Sequence, residues 1–137
     1  MSMQLKIIPQ KDIPDYKQAL LEFHDPENKR PQEYWKSLRY SSYIVAAFED
    51  EKIIGASRII TDFYMCAMIF DVLVHPDHRK QGIGGKIMER TVEFCRENHI
   101  KNVSLVTDPS YEWLPDFYKK FGFEIDNLKG VYMILGR

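Results

Sequence analysis

Hydrophobic positions recur along this chain at two spacings, near two residues and near three to four, and each change of spacing marks a change of element. Residues 5–8 form a short apolar stretch that reads as a strand and stops at Pro9. Asp12 and Pro14 carry helix-start chemistry, and Tyr16, Ala19, Leu20 and Phe23 continue as a helical stripe. A polar loop, residues 24–31, precedes a second short helix at 33–38. Three β-prone runs follow at 43–48, 52–61 and 64–74, the first two separated by the acidic turn Glu49, Asp50 and Glu51. Short turns between them predict an antiparallel meander, with Gly55 as a point of weakness or close approach. Ile83, Ile87, Met88, Thr91, Val92 and Cys95 then recur at helical spacing. Lys86, Glu89, Arg90, Glu93, Arg96 and Glu97 take the opposite face, which predicts an amphipathic helix of about four turns. Residues 103–107 read as a strand and 113–120 as a short helix ended by Gly122. Residues 123–125 and 131–135 read as closing strands. The order β-α-α-β-β-β-α-β-α-β-β predicts an α/β domain with a mixed sheet.

A chain of 137 residues is too short to divide into two cores, so residues 1–137 are expected to form a single domain. The net charge of −1 supplies no broad field for nucleic acid or an anionic membrane, so any anion site must be local. No run reaches the roughly 18 apolar residues of a membrane span, and no leader pattern is visible. Cys66 and Cys95 are far apart and lack metal-ligand spacing, which predicts two buried thiols, no metal and a reducing, cytoplasmic setting.

The segment that changes this picture is V-L-V-H-P-D-H-R-K-Q-G-I-G-G, from Val72 to Gly85. An apolar strand enters a charged turn, then three glycines, then a helix start. Helix N-termini leave N–H groups unpaired and carry partial positive charge, so they bind phosphate. Gly82 and Gly84 lack a Cβ and permit close backbone approach, while Arg79, Lys80 and Lys86 add local cations. The strand before and the periodic helix after distinguish this run from a plain glycine turn. Neither the P-loop nor the dinucleotide fingerprint is present.

The run V-H-P-D-H-R-K-Q-G-I-G resembles the acetyl-CoA signature of the GCN5-related N-acetyltransferases, whose core Q/R-x-x-G-x-G/A is matched by Arg79, Gly82 and Gly84. The run D-F-Y-K-K-F-G-F-E, starting at Asp116, resembles the second signature of that family. The resemblance covers nearly the whole chain. It implies a mostly antiparallel sheet of six to seven strands with about four helices, and acetyl-CoA as co-substrate without a metal. It also implies a pyrophosphate on the amides of Arg79, Lys80, Gln81, Gly82, Ile83, Gly84 and Gly85. The pantetheine arm would pair with Val72, Leu73 and Val74, made available by splaying of two neighbouring strands. Tyr118 would lie near the thioester sulfur as general acid. One departure stands out: many relatives carry asparagine seven residues before that tyrosine, where this chain has Tyr111. Ser110 or Tyr111 is a hydroxyl substitute there, or Tyr111 simply packs.

Asp71 is the lone carboxylate inside the 64–74 run, and an acid there needs a reason. It is a candidate general base, or else a carboxylate that is ion-paired or faces a turn. Asp108 and Glu112 are weaker candidates, and His75 and His78 read as loop residues. Phe23, His24, Tyr34, Trp35, Tyr40, Phe63 and Tyr64 concentrate aromatic surface in the N-terminal half, suited to a small amine acceptor or to the core. The expected activity is acetyl transfer from acetyl-CoA to a primary amine in a ternary complex. A protein lysine or N-terminus as acceptor, or a non-catalytic acyl-CoA sensor, are the alternatives. Apolar strand edges also suggest a homodimer.

Overall fold

A computed structural model describes residues 3–126, 130 and 133–136. The chain divides into two units, Met1–Val106 and Thr107–Arg137. The first unit holds strands β1 (Met3–Pro9), β2 (Tyr43–Glu49), β3 (Lys52–Thr61), β4 (Cys66–Val74) and β5 (Asn102–Leu105). They form one sheet in the order β1-β2-β3-β4-β5, with antiparallel pairs except the parallel β4–β5 pair. Its helices are α1 (Lys17–His24), α2 (Pro31–Arg39) and α3 (Ile83–Glu97). The expected mixed, mostly antiparallel α/β architecture is therefore present, with five strands among the described residues rather than six or seven.

Each sheet face carries its own core. On one side Ile8, Ile44, Ala46, Ile53 and Ala56 pack with Ile13, Leu20 and Leu38 from the N-terminal helical layer. On the other, Val45, Ala47, Ile54, Ile59 and Ala67 pack with Ile83, Ile87 and Cys95 of α3. This two-sided burial follows from alternation along the strands: successive side chains go to opposite faces, so β2 and β3 carry apolar residues on both. Gly55 allows the second layer to close. A Cβ there would stand 2.7 Å from Ile87 Cδ1 and 3.2 Å from the Leu73 carbonyl oxygen. The buried Thr91 hydroxyl donates to the Ile87 carbonyl at 2.7 Å and bonds Ser57 across the interface at 2.8 Å.

Boundaries move where side chains or prolines intervene. Residues 10–16 form a 3₁₀ segment instead of an α-helical start, because Pro14 has no N–H to extend an α ladder. Pro31 opens α2 at N1, two residues earlier than expected. β4 starts at Cys66, because the Asp62 carboxylate accepts the N–H groups of Tyr64, Met65 and Cys66 in a turn.

The second unit contains α4 (Leu114–Lys119), whose last turn is closed by Gly122 at φ +97°. Trp113, Phe117, Tyr118, Phe121 and Phe123 stack edge-on around it. The expected strand at 123–125 is irregular. The expected strand 131–135 lies partly outside the described residues. Its described members Met133, Ile134 and Leu135 are irregular and exposed, as expected for residues that enter no ladder.

Candidate active site

In the first unit, β4 leads through Pro76–His78 into the loop 79–82 and then α3. Lys80 and Gly82 both take left-handed backbone, at φ +65° and +78°. Gly82 caps α3 without any side-chain hydrogen bond. The first intrahelical bond runs from the Lys86 N–H to the Gly82 carbonyl at 3.1 Å, so the N–H groups of Ile83, Gly84 and Gly85 precede the ladder. A Cβ at Gly82 would meet nothing within 4 Å. The space around the Gly82 Cα is open, and Arg79, Lys80 and Lys86 are exposed beside it. This combination fits a diphosphate: free amides, a helix N-terminus and nearby cations. Among the described residues no group of histidine, cysteine and carboxylate side chains has metal-binding geometry.

Within the first unit, β4 has no described ladder partner along one edge beyond Ile69. Its pairing with β5 covers Cys66 to Ile69 and ends at Leu105, while β4 continues to Val74. The His75 N–H donates to the Ile54 carbonyl at 2.7 Å. Strand alternation from that bond turns the polar groups of Leu73 toward β3 and those of Val72 and Val74 toward the open edge. Arg79 Nε reaches the Val74 carbonyl from outside at 3.3 Å, in keeping with that orientation.

Asp71 sits in a β-bulge. Ala56 pairs with Leu73 and Arg58 with Phe70, which leaves Ser57 opposite both Asp71 and Val72. Asp71 has φ +52°. Its Oδ2 accepts from Arg58 Nε at 2.9 Å, with the arginine side chain 12% exposed and the aspartate 47%. Asp71 is thus one half of an ion pair, through one of its two carboxylate oxygens. Arg58 was not anticipated, although a cation inside K-I-I-G-A-S-R-I-I-T raises the same question as a carboxylate inside the next strand.

His24, at the end of α1, lies within reach of both charges. Burial lowers its pKa to about 4; Asp71 opposes that shift and Arg58 adds to it. Its Nε2 is buried without a hydrogen-bond partner. The other aromatic candidates separate into two groups. Phe23 and Trp35 pack on the core, whereas Tyr34, Tyr40, Phe63 and Tyr64 are exposed. His78 is no free loop residue: it is 14% exposed, with Nε2 3.4 Å from Glu49 Oε2, and so the acidic turn is only partly solvated. Cys95 is buried as expected, but Cys66 is exposed, at the first residue of β4.

In the second unit Tyr118 is buried between Phe117 and Phe123, and desolvation raises its pKa. Tyr111 is exposed and meets Trp113 edge-on at 6.4 Å. Asp108 accepts the Ser110 N–H at 2.8 Å and is held below the ordinary carboxylate range by it.

Residues 12–123 match the family described as Acetyltransferase (GNAT) family. The chain is 36% identical over 86 residues to GCN5-related N-acetyltransferase 2, chloroplastic, of Arabidopsis thaliana, covering 61% of this chain and 32% of that protein. It is 30% identical over 118 residues to Histone acetyltransferase TAP1 of Glycine max, covering 76% of this chain and 50% of that one. The chain thus spans a third to a half of the length of these relatives. Among solved structures, an aminoglycoside acetyltransferase from an uncultured soil metagenomic sample superposes with TM-score 0.69 at 22% identity, covering 98% and 97% of the two chains. No described helix is long and apolar enough to cross a membrane.

Proposed function

Because this chain belongs to the acetyltransferase (GNAT) family, we propose that it moves an acetyl group from acetyl-CoA to a primary amine of a small molecule, without a metal. The observation that carries this reading is the turn before α3, where three N–H groups precede the helical ladder beside a strand with an open edge. The amides of Gly82, Ile83, Gly84 and Gly85, with those of Arg79, Lys80 and Gln81, would hold the diphosphate. Val72 and Val74 would pair with the pantetheine arm, and Leu73 would pack beside it.

A lysine-like amine has a pKa of about 10.4, so roughly one molecule in a few thousand is neutral at pH 7. Holding both substrates in line supplies acceleration without a covalent enzyme intermediate. The Val72 N–H, turned to the open edge, is the donor we assign to the charge developing on the thioester oxygen. Asp71 is assigned to the acceptor: Oδ2 bonds Arg58, and Oδ1 is left to draw the ammonium and receive its proton directly or through water. Tyr118, kept protonated by burial, is assigned to the departing thiolate.

Aminoglycoside acetylation belongs to the structural neighbour and histone acetylation to the plant relative, so the test includes both kinds of acceptor. Thiol release from acetyl-CoA is measured with aliphatic amines, aminoglycosides and a lysine peptide. Turnover with a small amine is expected. Turnover with the peptide alone would move the acceptor to protein lysine, and tight acetyl-CoA binding without turnover would favour a sensor. An exposed free Cys66 suits a reducing compartment, the cytoplasm included.

A further inference from the structure

We propose that Arg58 is a positioning residue for acetyl transfer: it locks the β4 bulge and thereby holds the Asp71 carboxylate for the acceptor and the Val72 amide for the thioester. The inference rests on the acetyltransferase reading and adds to it a side chain assigned to neither substrate.

Asp71 occupies left-handed backbone without being glycine, a conformation that a short polar side chain supports when it is bonded in place. Arg58 supplies that hold from three sides. Nε donates to Asp71 Oδ2 at 2.9 Å, and Nη1 donates to Ser41 Oγ at 3.4 Å. The guanidinium also stands over the Phe70 ring, 5.1 Å from its centroid. Ser41 is fully buried, and its hydroxyl bonds the Ser37 carbonyl at the end of α2. One cation therefore ties the bulge to the helical layer. Without the bulge, Ser57 would face a single residue, and the side chains and amides beyond it would exchange faces and edges. Asp71 would then leave the arginine, and Val72 would turn its N–H away from the open edge. A lysine keeps the charge but has no planar fork to bond Asp71 and Ser41 together while stacking on Phe70.

The test compares wild type with Arg58→Lys, Asp71→Asn and the double variant. Circular dichroism verifies folding, calorimetry gives the coenzyme A Kd, and steady-state kinetics use a saturating amine. Arg58→Lys is expected to lower kcat about tenfold or more, as misplacement of reacting groups does. Its coenzyme A Kd should rise by a smaller factor than kcat falls, since the amides before α3 do not rest on Arg58 whereas the Val72 edge does. The double variant should be no slower than the slower single variant, the mark of groups acting as one unit. Amide hydrogen exchange over residues 70–73 should accelerate in Arg58→Lys. Wild-type kcat in a folded Arg58→Lys protein, additive losses, or unchanged exchange at 70–73 would each overturn the proposal. A wild type that turns over no amine would instead defeat the acetyltransferase reading, and exchange at 70–73 would still decide whether Arg58 locks the bulge.

Discussion

An imidazole buried without a partner resists protonation, and His24 is such a group, with its pKa near 4 against an ordinary 6.5. The unfolded chain therefore binds more protons than the folded one between about pH 4 and 6.5. This part of the stability is complete above pH 6.5 and is lost as the pH falls through that window. Its size is about 3 kcal/mol between pH 7 and pH 4. Urea midpoints at the two pH values should show this loss in wild type beyond that of His24→Phe, which has no proton to gain. Equal losses in both proteins would place the imidazole in water. The same desolvation keeps the Cys95 thiol protonated, near pKa 11, so it acts as a small apolar group in the α3 interface.

At the scale of elements, the placement of α3 on the sheet decides where the turn before it lies. Gly55 is the contact that admits the helix. Gly55→Ala would press on Ile87 and on the Leu73 backbone, and is expected to destabilise by about 1–3 kcal/mol, read as a lower urea midpoint at unchanged slope. An unchanged midpoint would mean that the interface repacks freely.

The elements visible from residue order alone are those whose signal is local. The apolar stripe Ile83, Ile87, Met88, Thr91 and Cys95 is buried as its spacing predicts. The glycine turn before it adopts the left-handed backbone that only glycine takes at no cost. Boundaries shifted where Asp62 captured three amides or where proline opened a helix. The pairing of Arg58 with Asp71 was hidden for another reason. Each charge is conspicuous in its own strand, but their meeting depends on a bulge in the β3–β4 register, a property of two strands together. His24 likewise looked like one more aromatic residue of the N-terminal half, because its desolvation comes from the layer it packs against.

For the molecule as a whole, a net charge of −1 offers no general attraction for an anion, so the coenzyme A affinity that the proposed function requires would have to come from the turn at residues 79–85. The most direct measurement is calorimetric titration of coenzyme A into wild type and Gly82→Ala, both verified as folded. A side chain at φ +78° costs about 1–2 kcal/mol, and relief of that strain moves the amides away from the diphosphate. The predicted result is saturable binding by wild type and an affinity about tenfold lower, or worse, for Gly82→Ala. No binding by wild type, or equal affinity in the two proteins, would contradict the account.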